Sequence, residues 1–227
     1  MNKRNFVLIV SILNILIACK LQIHHNKILF SEDFQGVLNP KKWVSEIEPL
    51  PNSKVYTIDN KLVLDTKGGV SVWFNQKLKG NYMITFKRKF VLNGGVNDRL
   101  SDLNVFWLAE DPKNTNLFTR TGKFEDYDNL KMYYVGMGGN TNKTTRFRKY
   151  EAGERKLLAE KSEAQYLLKP NHEYQIKIIV NDNMTSFWAD DEKLFEAKDK
   201  HFPPASYFGF RSTFSHQEIS DFKVIGL

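Results

Sequence analysis

Arg146 and Arg148 stand two residues apart, and Tyr150 follows at the same spacing. In a β-strand that spacing places all three side chains on one face. Guanidinium groups bind oxyanions through paired, charge-assisted hydrogen bonds. Just upstream, Gly136, Gly138 and Gly139 remove side chains where the backbone turns or a neighbour approaches. Asn140 and Asn142 donate and accept at once. Tyr134 precedes them, and Asp102 and Asn104 share a row of a second predicted strand, Ser101 to Ala109. The set suits an anionic, hydroxyl-rich ligand. Read alone, the same hairpin is equally a solvated basic face.

Three chemistries are open to these residue types. Eliminative cleavage of a uronic acid needs a cation or amide to neutralise the carboxylate, and a Tyr or His to move the proton. Arg146, Tyr134 and His216 supply those types, with Asn140 and Asn142 beside them. Hydrolysis needs two carboxylates at a fixed separation, for which Asp102 with Asp126 or Asp128 is the candidate pair. Binding alone needs aromatic platforms and polar groups, which Trp107, Asn104, Asn140, Asn142, Arg148 and Arg211 offer. Trp107 and His216 each carry a competing reading, as a core side chain and as a packed, hydrogen-bonded histidine.

The elements that position these groups are strands. Tyr82, Ile84, Phe86, Phe90 and Leu92 alternate with polar residues, the period of a half-buried strand, and Arg88 falls on the apolar row. Asp59-Asn60, Asp182-Asn183 and Asp190-Asp191 mark hairpin turns between apolar runs. Glu110 to Asn129 is a long polar loop, and loops of that length are commonly functional or mobile. Glu151 to Gln165 has some helical propensity but contains Gly153 and lacks an apolar stripe. No fixed-period repeat and no linker appears, so one domain over residues 27–227 is expected. Many short strands separated by turn signals predict an all-β sandwich.

The start of the chain reads as an export signal. Lys3 and Arg4 precede an apolar run, Phe6 to Ile17, too short to span a bilayer comfortably. It ends in Leu16-Ile17-Ala18-Cys19, which resembles a bacterial lipobox. Cys19 is the single cysteine, so no internal disulfide can form. The expectation is a signal peptide over residues 1–18, acylation of Cys19, and a tether over residues 19–26 holding the protein on a membrane surface. That places it at the outer membrane, on the cell surface or in the periplasm. The formal charge is +7, and Lys3 and Arg4 belong to the removed segment. The remaining excess is mild, and export argues against a nucleic-acid partner. No phosphate loop or nucleophile elbow is present. His24 and His25 read as solvated rather than metal-binding. No cofactor is expected, although the Asp/Asn clusters are compatible with a structural calcium. A monomer is expected.

Phe30-Ser-Glu-Asp-Phe34 with Trp43, Gly209-Phe-Arg211, His216 and Ile219-Ser-Asp-Phe-Lys-Val224 resemble the concanavalin A-like lectin/glucanase superfamily. The middle of the chain, Ser101 to Trp107 with Tyr133 to Arg148, is similar to one bacterial family of unknown function associated with polysaccharide utilisation in Bacteroidetes. The resemblance implies a jelly roll of two curved antiparallel sheets with a polysaccharide or oligosaccharide on the concave face. It leaves open lectin, hydrolase and lyase activities, since one fold hosts many functions. The chain departs from two motifs of the superfamily. It lacks the Glu-x-Asp-x-x-Glu of laminarinase-type members. It also lacks the Arg-x-Glu-Leu-Arg and Gln-Ile/Val-His of alginate-lyase-type members. The combined expectation is an exported lipoprotein that binds a glycan and cleaves it, with non-catalytic binding as the alternative.

Overall fold

The computed structural model describes residues 27–227. The signal segment, Cys19 and the tether with His24 and His25 lie outside the described residues. Among the described residues thirteen strands form, and every pairing is antiparallel. They are β1 (Lys27–Glu32), β2 (Trp43–Ile47), β3 (Lys54–Ile58), β4 (Lys61–Lys79), β5 (Tyr82–Phe90), β6 (Leu103–Glu110) and β7 (Lys131–Gly138). β8 (Thr144–Glu151), β9 (Glu154–Lys161), β10 (Glu173–Asn181), β11 (Met184–Ala189), β12 (Glu192–Lys198) and β13 (Ala205–Gly226) complete the set. Among the described residues no helix is long and apolar enough to cross a membrane.

Two strands organise the rest. β4 has 19 residues and β13 has 22, and they pair with each other from Leu62 to Lys79 and from Ala205 to Ile219. Register shifts between Ser206 and Phe208 and between Thr213 and Ser215 interrupt that ladder. Bulges of this kind bend a strand and let it leave one layer for the other. One layer therefore runs β9-β8-β7-β6-β13-β4-β2. The other runs β12-β11-β10-β5-β13-β4-β3, with β1 along the end of β13. The result is the expected jelly-roll sandwich. The helical propensity after Glu151 is overridden, because Glu154–Lys161 pairs with β8 as the edge strand β9.

The main core lies between the layers and is rich in aromatic rings. Trp107 stacks on Phe147 at 5.8 Å and on Phe187 of the opposite layer at 6.5 Å. Phe86 meets Phe210 edge-on at 5.0 Å. Burying such a side chain contributes about 1.5–3 kcal/mol each. Arg88, on the apolar row of β5, is fully buried. Its three nitrogens donate to Gln217 Oε1 (2.6 Å) and to the carbonyls of Asn104 (2.8 Å) and Arg211 (2.7 Å). Fully satisfied, it ties β5 to the strands that carry the candidate site.

The 111–130 loop is not free. Leu117, Tyr127 and Leu130 pack with Trp73, Phe106, Met132, Tyr134 and Tyr150 into a second apolar cluster on the outer face of the first layer. Gly122 sits against Gly69 of β4 so closely that a Cβ on Gly69 would lie 2.1 Å from the Gly122 oxygen. Arg120 fixes the loop from within. Its side chain donates to Asp111 Oδ2 (2.5 Å), Leu117 O (2.5 Å) and Asp126 O (2.9 Å).

Candidate functional site

Cross-strand register assembles two rows on the outer face of the first layer. The first reads Glu46, Ser71, Arg211, Asn104, Gly136, Arg146, Glu160 across seven strands. The second reads Val44, Trp73, Gly209, Phe106, Tyr134, Arg148, Leu157. Neighbouring strands are about 4.8 Å apart, so Arg211 and Arg146 are separated by about 14 Å across three strand intervals.

Glycine shapes this face. A Cβ at Gly136 would lie 2.2 Å from the Tyr134 hydroxyl oxygen, because the Tyr134 ring lies along its own strand over Gly136. That path delivers the hydroxyl to Asn104 Oδ1 at 2.8 Å. Asn104 Nδ2 in turn approaches Asp102 Oδ2 at 3.5 Å, and the Asp102 carboxylate also accepts from the Ser101 hydroxyl. The β7–β8 turn coils left-handed, with positive φ at Asn140, Thr141 and Asn142. Asn142 leaves the face: it clamps the Leu168 backbone, donating to its oxygen (2.9 Å) and accepting from its nitrogen (2.8 Å). Asn140 is exposed, and its amide oxygen accepts from Arg146 Nη1 (3.1 Å) and Nη2 (3.2 Å). Arg146 also pairs with Glu160.

Arg148 differs from its neighbours. Its guanidinium lies 5.8 Å from the Tyr134 ring centroid. Among the described residues it has no ion pair or hydrogen-bond partner, and it is only partly buried. Arg211 is fully buried between the rings of Tyr127 (4.8 Å) and Phe124 (5.2 Å). Its Nη1 donates to Ser71 Oγ (3.2 Å) and Gly122 O (2.9 Å), and no carboxylate pairs with it among the described residues.

Thus Asp102, Asn104, Tyr134, Asn140, Arg146, Arg148 and Arg211 come together on one face, and three predicted residues do not join them. Trp107 points the other way, into the main core with no exposure, its indole nitrogen donating to Thr185 Oγ1 at 2.8 Å. A ligand on the outer face has no path to it. His216 lies on the solvent side of the other layer, paired across the ladder with Asp65. Its Nδ1 is 3.0 Å from Asp98 Oδ1 of the 93–99 loop. Asn142 serves the backbone of the 162–172 segment instead of the face.

Proton chemistry on this face is constrained. Burial pushes the Tyr134 hydroxyl far above the usual phenol range, reinforced by the nearby Asp102 charge. Burial likewise raises Tyr150, to about 12. Neither is a phenolate near neutral pH. Asp126 accepts from the Thr121 nitrogen (2.9 Å) and hydroxyl (2.6 Å), and Asp128 chelates Arg155 at 2.5 and 2.7 Å. Sequence reasoning missed Glu46. It accepts from Trp73 Nε1 (2.8 Å), Tyr127 (2.9 Å) and the Arg120 backbone (2.7 Å) beneath the loop. Burial raises its pKa, against those hydrogen bonds. No local sequence signal marks it, because the loop that covers it is placed by contacts distant in sequence. Among the described residues no cluster of three His, Cys, Asp or Glu side chains is placed to hold a metal. A cavity of about 850 Å³ lies elsewhere, between β2, β3 and the 33–40 loop.

Residues 64–222 match the family described as a domain of unknown function, DUF6250. The chain belongs to that family. No curated protein matches this DUF6250 chain. Among solved structures it is similar to a Bacillus subtilis protein of unknown function with a galectin-like fold. That pair shares 16% identity at a TM-score of 0.68, over 88% of this chain and 99% of the other. An endo-β-1,3-glucanase from Pyrococcus furiosus superposes with a TM-score of 0.65 at 9% identity, over 88% of this chain and 94% of the enzyme. A carbohydrate-binding module, CBM66 of Bacillus subtilis, gives 0.56 at 12% identity, over 81% and 95% of the two chains. At such identities the likeness is one of fold, shared by catalytic and non-catalytic proteins alike.

Proposed function

We propose that the DUF6250 domain is a glycan-binding module whose outer face takes an acidic polysaccharide without cleaving it. The carrying observation is Arg148: a partly exposed guanidinium, stacked on Tyr134 and unpaired among the described residues, beside Arg146 and the exposed Asn140. An unpaired cation on an aromatic platform fits a sugar ring bearing an anionic substituent. The glucanase and the carbohydrate-binding module of similar fold support a carbohydrate ligand. Binding is favoured over cleavage because the tyrosines are held protonated, His216 is on the other layer, and the nearby carboxylates are engaged. The lipobox-like Leu16-Ile17-Ala18-Cys19 supports a lipid-anchored protein of the bacterial envelope, and the resemblance of the middle of the chain supports a place in a polysaccharide-utilisation system.

Retention on immobilised acidic and neutral polysaccharides, with product analysis, tests this. The expected result is retention on an acidic glycan that Arg148→Ala weakens at least tenfold, with no new reducing ends. Retention on neither class, or products absorbing as unsaturated uronates, would refute it.

A further inference from the structure

We propose that Arg211 is the floor of a second anion subsite on this face, roofed by Phe124, that takes the carboxylate or sulfate of an acidic sugar. The proposal rests on the glycan-binding reading above. Arg211 is fully buried, yet its Nε and Nη2 have no hydrogen-bond partner, and neither does the buried hydroxyl of Tyr150. Nε and Nη2 form one edge of the guanidinium, the edge that meets two oxygens of an oxyanion side by side. Arg155, at the same Phe124 ring, shows the same edge at work, its Nε and Nη2 holding the two oxygens of Asp128. On Arg211 only Nη1 is engaged, by Ser71 and Gly122.

A buried cation lacking a carboxylate is costly, and flanking aromatic rings offset only part of that cost. Arg148 and Arg155 also lie close to Tyr134 and Tyr150, so three guanidiniums converge, while Asp128 neutralises one. Phe124 is the partly exposed ring over this region. It is half-buried, stacked on Arg211 below and contacted by Arg155 at 4.2 Å. The subsite therefore requires the Phe124 ring to move aside and admit the anion.

The test is titration of the purified protein with trigalacturonate, a sulfated galacto-oligosaccharide and a neutral galacto-oligosaccharide. The Arg211 Nε–H resonance is followed by NMR and assigned by its loss in Arg211→Lys. A saturable shift is expected with the carboxylated or the sulfated sugar, whichever source the subsite takes, and none with the neutral one. Phe124→Ala should raise affinity for the same anionic sugar at least threefold and leave neutral sugars unaffected. Arg148-dependent binding with an unmoved Arg211 resonance, or unchanged affinity in Phe124→Ala, overturns the subsite and leaves the glycan-binding reading standing. If the wild type binds no oligosaccharide, that reading falls. Free galacturonate and sulfate titrated into Phe124→Ala then decide the subsite, and no shift overturns it.

Discussion

Replacing Gly69 by alanine should lift the 111–130 loop off the outer face. The new methyl would sit 2.1 Å from the Gly122 oxygen and 3.0 Å from Arg211 Nη2. Ordinary van der Waals contact begins near 3.4 Å, so the loop backbone must retreat by roughly 1.3 Å, since strand β4 is held on both sides by β2 and β13 and cannot yield. Retreat breaks the bond from Arg211 Nη1 to Gly122 O and strains the bond from the Arg120 nitrogen to Glu46. Each lost bond costs about 1 kcal/mol, and leaving Arg211 less satisfied in its burial adds more, so a destabilisation of about 2–4 kcal/mol is expected. Denaturant unfolding measures the total. Near-ultraviolet circular dichroism reports Trp73 and Tyr127, and limited proteolysis between Lys113 and Lys123 reports the loop itself. A change below about 0.5 kcal/mol with unaltered proteolysis would show that the two glycines do not hold the loop, and would refute the docking argument.

Other perturbations probe separate parts of the molecule. Trp107→Ala should destabilise by about 3–5 kcal/mol through the cavity left among Phe147 and Phe187, while glycan retention by the surviving folded fraction stays intact; lost retention at full stability would return Trp107 to the binding face. Asp111 is pulled down to about 2: burial opposes this, but hydrogen bonds from Asn114, Arg120 and the Lys113 backbone outweigh it. A depressed carboxyl stabilises the fold above its unfolded value near 4 and loses that contribution as pH falls towards 2, about 2 kcal/mol in all. Acid titration of the near-ultraviolet signal should therefore show a step in that window that Asp111→Asn removes. Cys19→Ser should abolish incorporation of labelled fatty acid and release the protein from membranes; continued labelling would place the lipid elsewhere.

The strands and reversals of an all-β sandwich were legible because their cues are local, while the jelly roll came from the resemblance of the chain's two ends to a known superfamily. The alternation from Tyr82 to Leu92 and the Gly/Asn turn after Tyr133 each specify a strand and a reversal without reference to the rest of the chain. Arg146, Arg148 and Tyr150 were legible as one face for the same reason, since period-two spacing survives in regular strands. Trp107 was not. Strand β6 is buried on both faces, core on one and loop on the other, so its hydrophobic pattern carries no information about direction. His216 failed because the bulge after Thr213 and the passage of β13 into the second layer separate it from Arg211. Glu46 and Phe124 depend on where a twenty-residue loop lands, and that is set by contacts between Gly122 and Gly69 that are distant in sequence.

The placement of β13 bears on the order in which the chain can acquire its structure. This strand stands at the centre of both layers, bonded to β1, β4, β5 and β6, yet it follows every other strand in the sequence. Until it is available, β5 with β10 to β12 and β6 to β9 are two separate meanders without a common partner. Closing such distant contacts is slow, because the intervening chain must be ordered first. A chain synthesised from its N-terminus therefore cannot close this sandwich until β13, the staple that joins the halves, has emerged.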